Sequence, residues 1–297
     1  MSPTALTLIV VSVCLHAGWN VLGKRRAPSL AFFSLAIMAG GLTFLPLLLL
    51  GPPVTVLPGK FWAWLVASGL CQMFYMGGLA WAYARGEVSV LYPIVRALPV
   101  VFVPLVSVAL LGSQAITSFD VLGMGLIVLG ALCLPLSDPA ARRLATYFSP
   151  ALGFALLAAV ATMGYSLIDH RALVLMQQAG HSAQTAGAQF MVLQALVTLL
   201  WALPLIACLT KERRQLPKLW QSERQVIIVT GWMITGTYGL VLVALALTKE
   251  VSYVVALRQL SIPLGALIGI LWLKERLSAL KALSLGVMVV GLGMVAY

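Results

Sequence analysis

Ten apolar stretches divide the chain, at residues 4–23, 30–50, 61–84, 88–111, 119–137, 150–170, 184–209, 224–247, 251–273 and 278–297. Each is about as long as the roughly 20 mostly apolar residues that a helix needs to cross a ~30 Å hydrocarbon core. They occupy most of a 297-residue chain in which 61% of side chains are hydrophobic and 9% are charged. No soluble core could bury so much apolar surface, so lipid must be the solvent. The expected fold is all-α and integral to the membrane: ten transmembrane helices, with the lipid bilayer as a partner and no room for a soluble domain.

The net charge of +11 does not point to nucleic acid, because no soluble segment carries a basic face with interleaved aromatics. The cations sit instead in short loops, where they orient the chain. The odd-numbered loops hold fourteen Lys and Arg residues, against Lys60, Arg171 and Lys249 on the other side. The odd loops are therefore expected in the cytoplasm and both termini outside, in a cell (inner) membrane. Positive charge follows the first span rather than preceding it, so that span is expected to be retained rather than cleaved. Cys14, Cys71, Cys133 and Cys208 all fall within spans, without metal-binding or redox spacing, and read as free thiols.

Internal repetition organises the chain further. "GEVSV" (Gly86–Val90) recurs as "KEVSY" (Lys249–Tyr253). "LLGSQAITSFDVLGMGLIVLG" (Leu110–Gly130) aligns without gaps with "LWLKERLSALKALSLGVMVVG" (Leu271–Gly291), pairing Gly125 with Gly286 and Gly130 with Gly291. "AGWNVLGKR" (Ala17–Arg25) overlies "MGYSLIDHR" (Met163–Arg171). Two five-span units follow, residues 1–145 and 146–297. Five is odd, so the second unit enters the membrane upside down, an architecture found in secondary transporters with a midplane substrate site.

The stretches "LLGSQAIT" and "LWLKERLS", in ten spans arranged as two repeats, resemble the EamA family of the drug/metabolite transporter superfamily. The second copy fits through Leu273, Glu275, Arg276, Leu277 and Ser278; the first departs, with Ser113-Gln114-Ala115 in place of the acidic-basic pair. "HAGWNVLGK" also resembles a subgroup associated with phosphonate-utilisation membrane proteins. The resemblance implies a transporter: relatives export amino acids, other metabolites or drugs, and some import. It also implies cytoplasmic termini, opposite to the charge count.

Polar side chains inside the spans are the candidate site residues. His16, Asn20 and Lys24 fall at i, i+4 and i+8 with Trp19 beside them, a stripe that lipid would penalise. That stripe faces either a cavity or an interhelical hydrogen-bond seam, and Lys24 reads best as snorkelling to the cytoplasmic surface. Arg96 and Arg258 lie nine and eight residues beyond Glu87 and Glu250. Each is thus roughly 12–14 Å along its helix, near mid-membrane. Glu87, Asp120, Asp169 and Glu250 are all expected near span ends. Two deep arginines without a carboxylate at their depth fit an anion held by guanidinium forks. Alternatively they cap carbonyls freed by Pro93, Pro99, Pro104 and Pro263, or reach Glu250 and Glu87 across the halves. Tyr75, Tyr238, Gln72 and Gln259 complete the pocket candidates, and aromatic faces could hold an ammonium group.

The expectation is a secondary carrier, an exporter, for a small anionic or zwitterionic metabolite such as an amino acid or phosphonate. No cofactor or metal is expected, and no P-loop is present for ATP. His16 is the proton candidate, a counter-substrate being the other source of coupling. A multidrug or organic-cation exporter is the alternative, though its pocket should be acidic and aromatic. An integral-membrane enzyme is more remote, because His16, His170 and His181 are scattered.

Overall fold

The computed structural model describes residues 2–23, 29–86, 88–109, 112, 116–137, 150–272 and 277–296, without the side chains of 17–23, 88–90, 269 and 272. In hydrocarbon every backbone polar group must be satisfied internally, and a helix does this within one segment. Among the described residues there are helices and no strands. They are α1 (Pro3–Gly23), α2 (Leu30–Thr43), α3 (Gly59–Tyr83), α4 (Val88–Ala109), α5 (Ser118–Cys133), α6 (Pro150–Gln178), α7 (Ala183–Cys208), α8 (Thr210–Ala246), α9 (Val251–Leu257), α10 (Ser261–Trp272) and α11 (Ala279–Ala296). A 3-10 turn, Arg258–Leu260, joins α9 to α10.

Among the described residues seven helical segments are long and apolar enough to cross a membrane, with Val251–Ile268 counted as one. The apolar segments Pro3–His16, Leu30–Thr43 and Ser118–Cys133 are shorter. The fourteen residues of α2 extend only about 21 Å, because the chain turns into a 3-10 segment at Leu45–Leu49 with Pro46 at its start. Gln189 of α7 then ties this irregular stretch down. Its Nε2 donates to the carbonyls of Leu48, Leu50 and Pro52 at 3.2, 2.6 and 3.1 Å.

Two boundaries differ from the sequence expectation in ways that matter. Helix α6 does not end near residue 170 but continues to Gln178, 29 residues in all. It stops at Gly180, whose φ of 91° suits glycine. There the amides of His181 and Gly180 turn back to the carbonyls of Met176 and Gln177, a Schellman end. Helix α8 contains a kink at Glu223 (φ −132°, ψ 15°). The expected span begins just after this kink, and the residues before it, rich in Lys and Arg, form a separate helical arm.

Helix packing pairs off across the two halves. If α1, α2, α3, α4 and α5 are matched with α6, α7, α8, α9–α10 and α11, three major contacts have exchanged counterparts: α3–α6 with α8–α1, α2–α8 with α7–α3, and α4–α6 with α10–α1. The α5–α11 seam maps onto itself. A Cβ at Gly130 would stand 2.5 Å from the Ser284 carbonyl oxygen, and one at Gly291 would stand 2.5 Å from that of Gly123. Under the ungapped alignment Gly130 matches Gly291 and Gly123 matches Ser284, so the two close approaches are images of each other. Small residues allow such approach where no hydrophobic effect drives helices together.

Candidate functional site

The prolines of α4, Pro93, Pro99 and Pro104, cost it backbone donors and favour bending. Facing it, the ninth apolar stretch breaks at Arg258–Leu260. Irregular backbone at membrane depth persists where protein or a cavity surrounds it. Both conditions are met here. Arg96 of α4, 7% exposed, donates through Nη2 to the Arg258 carbonyl (2.7 Å) and to Ser261 Oγ (2.9 Å). Ser261 Oγ in turn donates to the same carbonyl at 3.0 Å. Of the alternatives open from sequence, carbonyl capping is therefore what Arg96 does in this conformation. Its Nε stays buried with no hydrogen-bond partner.

Around this contact lies a cleft lined by Tyr75, Val95, Arg96, Pro99, Thr162, Tyr165, Val255, Arg258 and Gln259. Its free volume is about 10 Å³, room for about one water molecule and far below the roughly 300–1,000 Å³ of ordinary small-molecule sites. The structure thus has the cleft closed down. Gln259 holds the Val255 carbonyl through Nε2 at 2.9 Å, and its Oε1 is buried without a partner. A second cleft, equally small, shares Tyr165, Val255 and Arg258 with the first and adds Ser166, Asp169 and Tyr238. Tyr165 bridges the two. It meets Tyr75 edge-on at 5.8 Å between ring centroids and Tyr238 at 5.9 Å.

Of the residues expected at the site, Tyr75, Arg96, Arg258 and Gln259 share the first cleft, and Tyr238 lines the second. His16 is half-buried and within electrostatic reach of Arg96 and Arg258. Gln72 is buried in α3 with its Oε1 unpartnered, but it lines neither cleft. Trp19 and Asn20 lie on the α1 backbone with side chains outside the described residues, and Lys24, Glu87, Ser113–Ala115 and 273–276 are outside them altogether. No group of three or more His, Cys, Asp or Glu residues able to hold a metal occurs among the described residues.

One expectation is corrected. Asp169 is not near a span end, because α6 runs nine residues past it, about 14 Å. It is 0% exposed and accepts hydrogen bonds from Ser68 of α3 and Tyr238 of α8. Gln194 Nε2 of α7 also donates to its Oδ2 (3.3 Å), to Ser68 Oγ (2.7 Å) and to Tyr238 Oη (3.2 Å). A charged carboxylate at a helix centre costs about 2.5–3.5 kcal/mol on insertion scales. Hydroxyl and amide donors from three other helices offset part of that cost. Asp169, Ser68 and Gln194 were missed as candidate site residues. A signal was available: Thr162, Tyr165, Ser166 and Asp169 repeat at i, i+3, i+4 and i+7, the same kind of stripe as on α1.

Asp120 and Glu250, also buried, lie at helix starts as expected and have structural partners there. Asp120 forms a capping box with Thr117 and accepts from Tyr253 at 3.2 Å. Glu250 caps α9 at Ser252.

Comparison with known proteins bears on what such a site serves. Twenty-eight chains of solved structures match. One of them, described only as "Crystal structure of protein", superposes with a TM-score of 0.71 over 99% of this chain and 98% of that one, at 16% identity. It shares the fold. No curated protein matches. The family model described as "EamA-like transporter family" matches residues 3–135. Through that region the chain is similar to the EamA-like transporter family, and its many apolar helices fit a multi-span membrane protein.

Proposed function

We propose that the protein is a secondary carrier for a small anionic or zwitterionic metabolite of amino-acid or phosphonate type. One observation carries this reading. Arg96 and Arg258, contributed by α4 and by the break between α9 and α10, line one closed mid-span cleft, and Arg96 keeps a buried Nε without a partner. A guanidinium with an unused donor inside a membrane protein is a site for a carboxylate or phosphonate oxygen. Tyr75, Tyr165 and Tyr238 supply faces for the rest of the solute.

In this reading residues 1–145 and 146–297 are inverted five-helix repeats, ten membrane helices in all. Exchange of their conformations opens the cleft to one side and then to the other. The pairing of contacts across the halves is what two such repeats would produce. The odd loops lie in the cytoplasm of a cell (inner) membrane with the termini outside. Export is the direction in which the membrane potential alone would drive an anion, at ~2.3 kcal/mol per charge per 100 mV.

A second reading, an organic-cation or multidrug exporter, is favoured by the second cleft, where Asp169 lies with Tyr165 and Tyr238. Ligand-dependent thermal shift of purified protein separates the two. The panel holds amino acids, organic anions, phosphonates and quaternary amines, with Arg96→Ala and Arg258→Ala alongside. Stabilisation by anionic or zwitterionic compounds, lost in both variants, supports the first reading. Stabilisation by cations alone, unchanged in the variants, replaces it with the second.

A further inference from the structure

We infer that Asp169 is the proton-carrying group of the transport cycle, binding a proton from one side of the membrane and releasing it to the other together with the anion held at Arg258. This deepens the carrier reading above and rests on it.

The geometry argues for a proton rather than a metal cation. Ser68 and Tyr238 bring their hydroxyls directly onto the Asp169 carboxylate, and Gln194 closes over both hydroxyls and the carboxylate. A sodium or larger ion would have to stand between these oxygens, whereas a proton needs no added room. The donors are uncharged, and a hydroxyl can reverse its hydrogen bond when the carboxylate gains a proton. The cluster therefore satisfies either charge state without moving a helix, a property that a carrier site needs and a purely structural seam does not.

The surroundings set the sign of coupling. The groups facing Asp169 are Cys71 from α3, Tyr238 from α8 and Arg258 from the α9–α10 break, with uncharged Gln194 from α7. On its own helix, Tyr165 and Ser166 share the cleft, while His170 is engaged with the Leu245 carbonyl. Arg96 of α4 lines the adjoining cleft. Asp169 and Arg258 thus stand on one cleft wall system. Ionised Asp169 already offers Arg258 a negative charge; protonated Asp169 leaves Arg258 to an incoming anion. Two negative groups around one guanidinium repel, so anion binding and protonation favour each other, and by linkage each strengthens the other. Proton and anion then travel in the same direction. For a monoanion the carried charge cancels, and the pH gradient replaces the membrane potential as the driver: export then needs the cytoplasm to be the more acidic side, and an acid exterior drives uptake.

Two measurements test this. Infrared difference spectra of the protein in lipid, acid minus alkaline buffer, should contain a protonated-carboxyl band. That band should vanish in Asp169→Asn and persist in Asp120→Asn and Glu250→Gln; a band unchanged in Asp169→Asn overturns the proposal. Proteoliposomes are then given methylphosphonate, succinate and L-alanine as probes. Wild type should accumulate the transported probe under a pH gradient, and Asp169→Asn should lose accumulation while retaining counterflow exchange. Asp169→Glu, which keeps the titrating group, should restore accumulation and guards against a folding defect. Accumulation by Asp169→Asn, or accumulation driven by sodium instead of protons, overturns the proton role and leaves the carrier reading standing. If wild type shows no counterflow of any probe, the carrier reading falls, and this proposal falls with it.

Discussion

The two deep arginines meet through the main chain: the guanidinium of Arg96 donates to the carbonyl oxygen of Arg258 at 2.7 Å. A cation on α4 thereby clamps the point where the facing span breaks. The contact joins the first half of the chain to the second at the cleft itself.

Removing that clamp should have two separable effects. Arg96→Ala takes a donor from the Arg258 carbonyl and from Ser261 Oγ, for which about 1–3 kcal/mol of lost stability is expected. Arg96→Lys keeps the charge but not the fork, and should fall between. Thermal unfolding in detergent reads the stability loss. Each variant's response to added anion, measured against its own baseline, reads the binding loss, which is expected to be complete in Arg96→Ala.

The α5–α11 seam offers a contrast between glycines on a single helix. A Cβ at Gly291 would collide with backbone at Gly123 and Ile127, whereas one at Gly286 meets nothing within 4 Å. Gly291→Val should destabilise by about 1–3 kcal/mol through overpacking. Gly286→Ala should be neutral or stabilising by up to about 1 kcal/mol, since alanine loses less backbone entropy in a helix. Unfolding midpoints of both variants in the same detergent check the difference.

Gln189 is 0% exposed, with three carbonyls at its Nε2. Gln189→Leu preserves most of the volume and removes the donor. The variant should lose about 1–3 kcal/mol, and hydrogen exchange should rise locally over residues 45–53 while the helices distant from it keep their protection.

The charge count makes a topological prediction. The arm of α8 before the Glu223 kink carries Lys211, Arg213, Arg214 and Lys218. In a variant stripped of Cys14, Cys71, Cys133 and Cys208, Ser222→Cys, in an exposed position, should react with an impermeant maleimide only in inside-out vesicles. Labelling of intact cells instead would place that arm outside, matching the topology implied by the family.

Much of the helical framework was legible because hydrocarbon leaves few options: the apolar runs reappear as helices, and the kink at Glu223 falls one residue before an expected span start. The burial of Arg96 was legible too, from its distance to the helix end. Its partner was not, since a carbonyl becomes an acceptor only through the 3-10 turn that tertiary packing imposes at Arg258. Asp169 was misplaced for an instructive reason. Asp169-His170-Arg171 reads as the polar end of a span, yet hydroxyls and an amide on α3, α7 and α8 solvate the carboxylate internally and let the helix run on. The stripe from Thr162 to Asp169 carried the information; the span boundary drawn at residue 170 concealed it.

The seam between α5 and α11 has a different standing from every contact that joins unlike positions in the two halves. Its glycine approaches are images of each other, so interchange of the halves returns the same seam. In the carrier cycle proposed above, contacts such as α3–α6 and α8–α1 would trade places; this one has nothing to trade. It is suited to be the axle, the part that stays still so that the rest can turn.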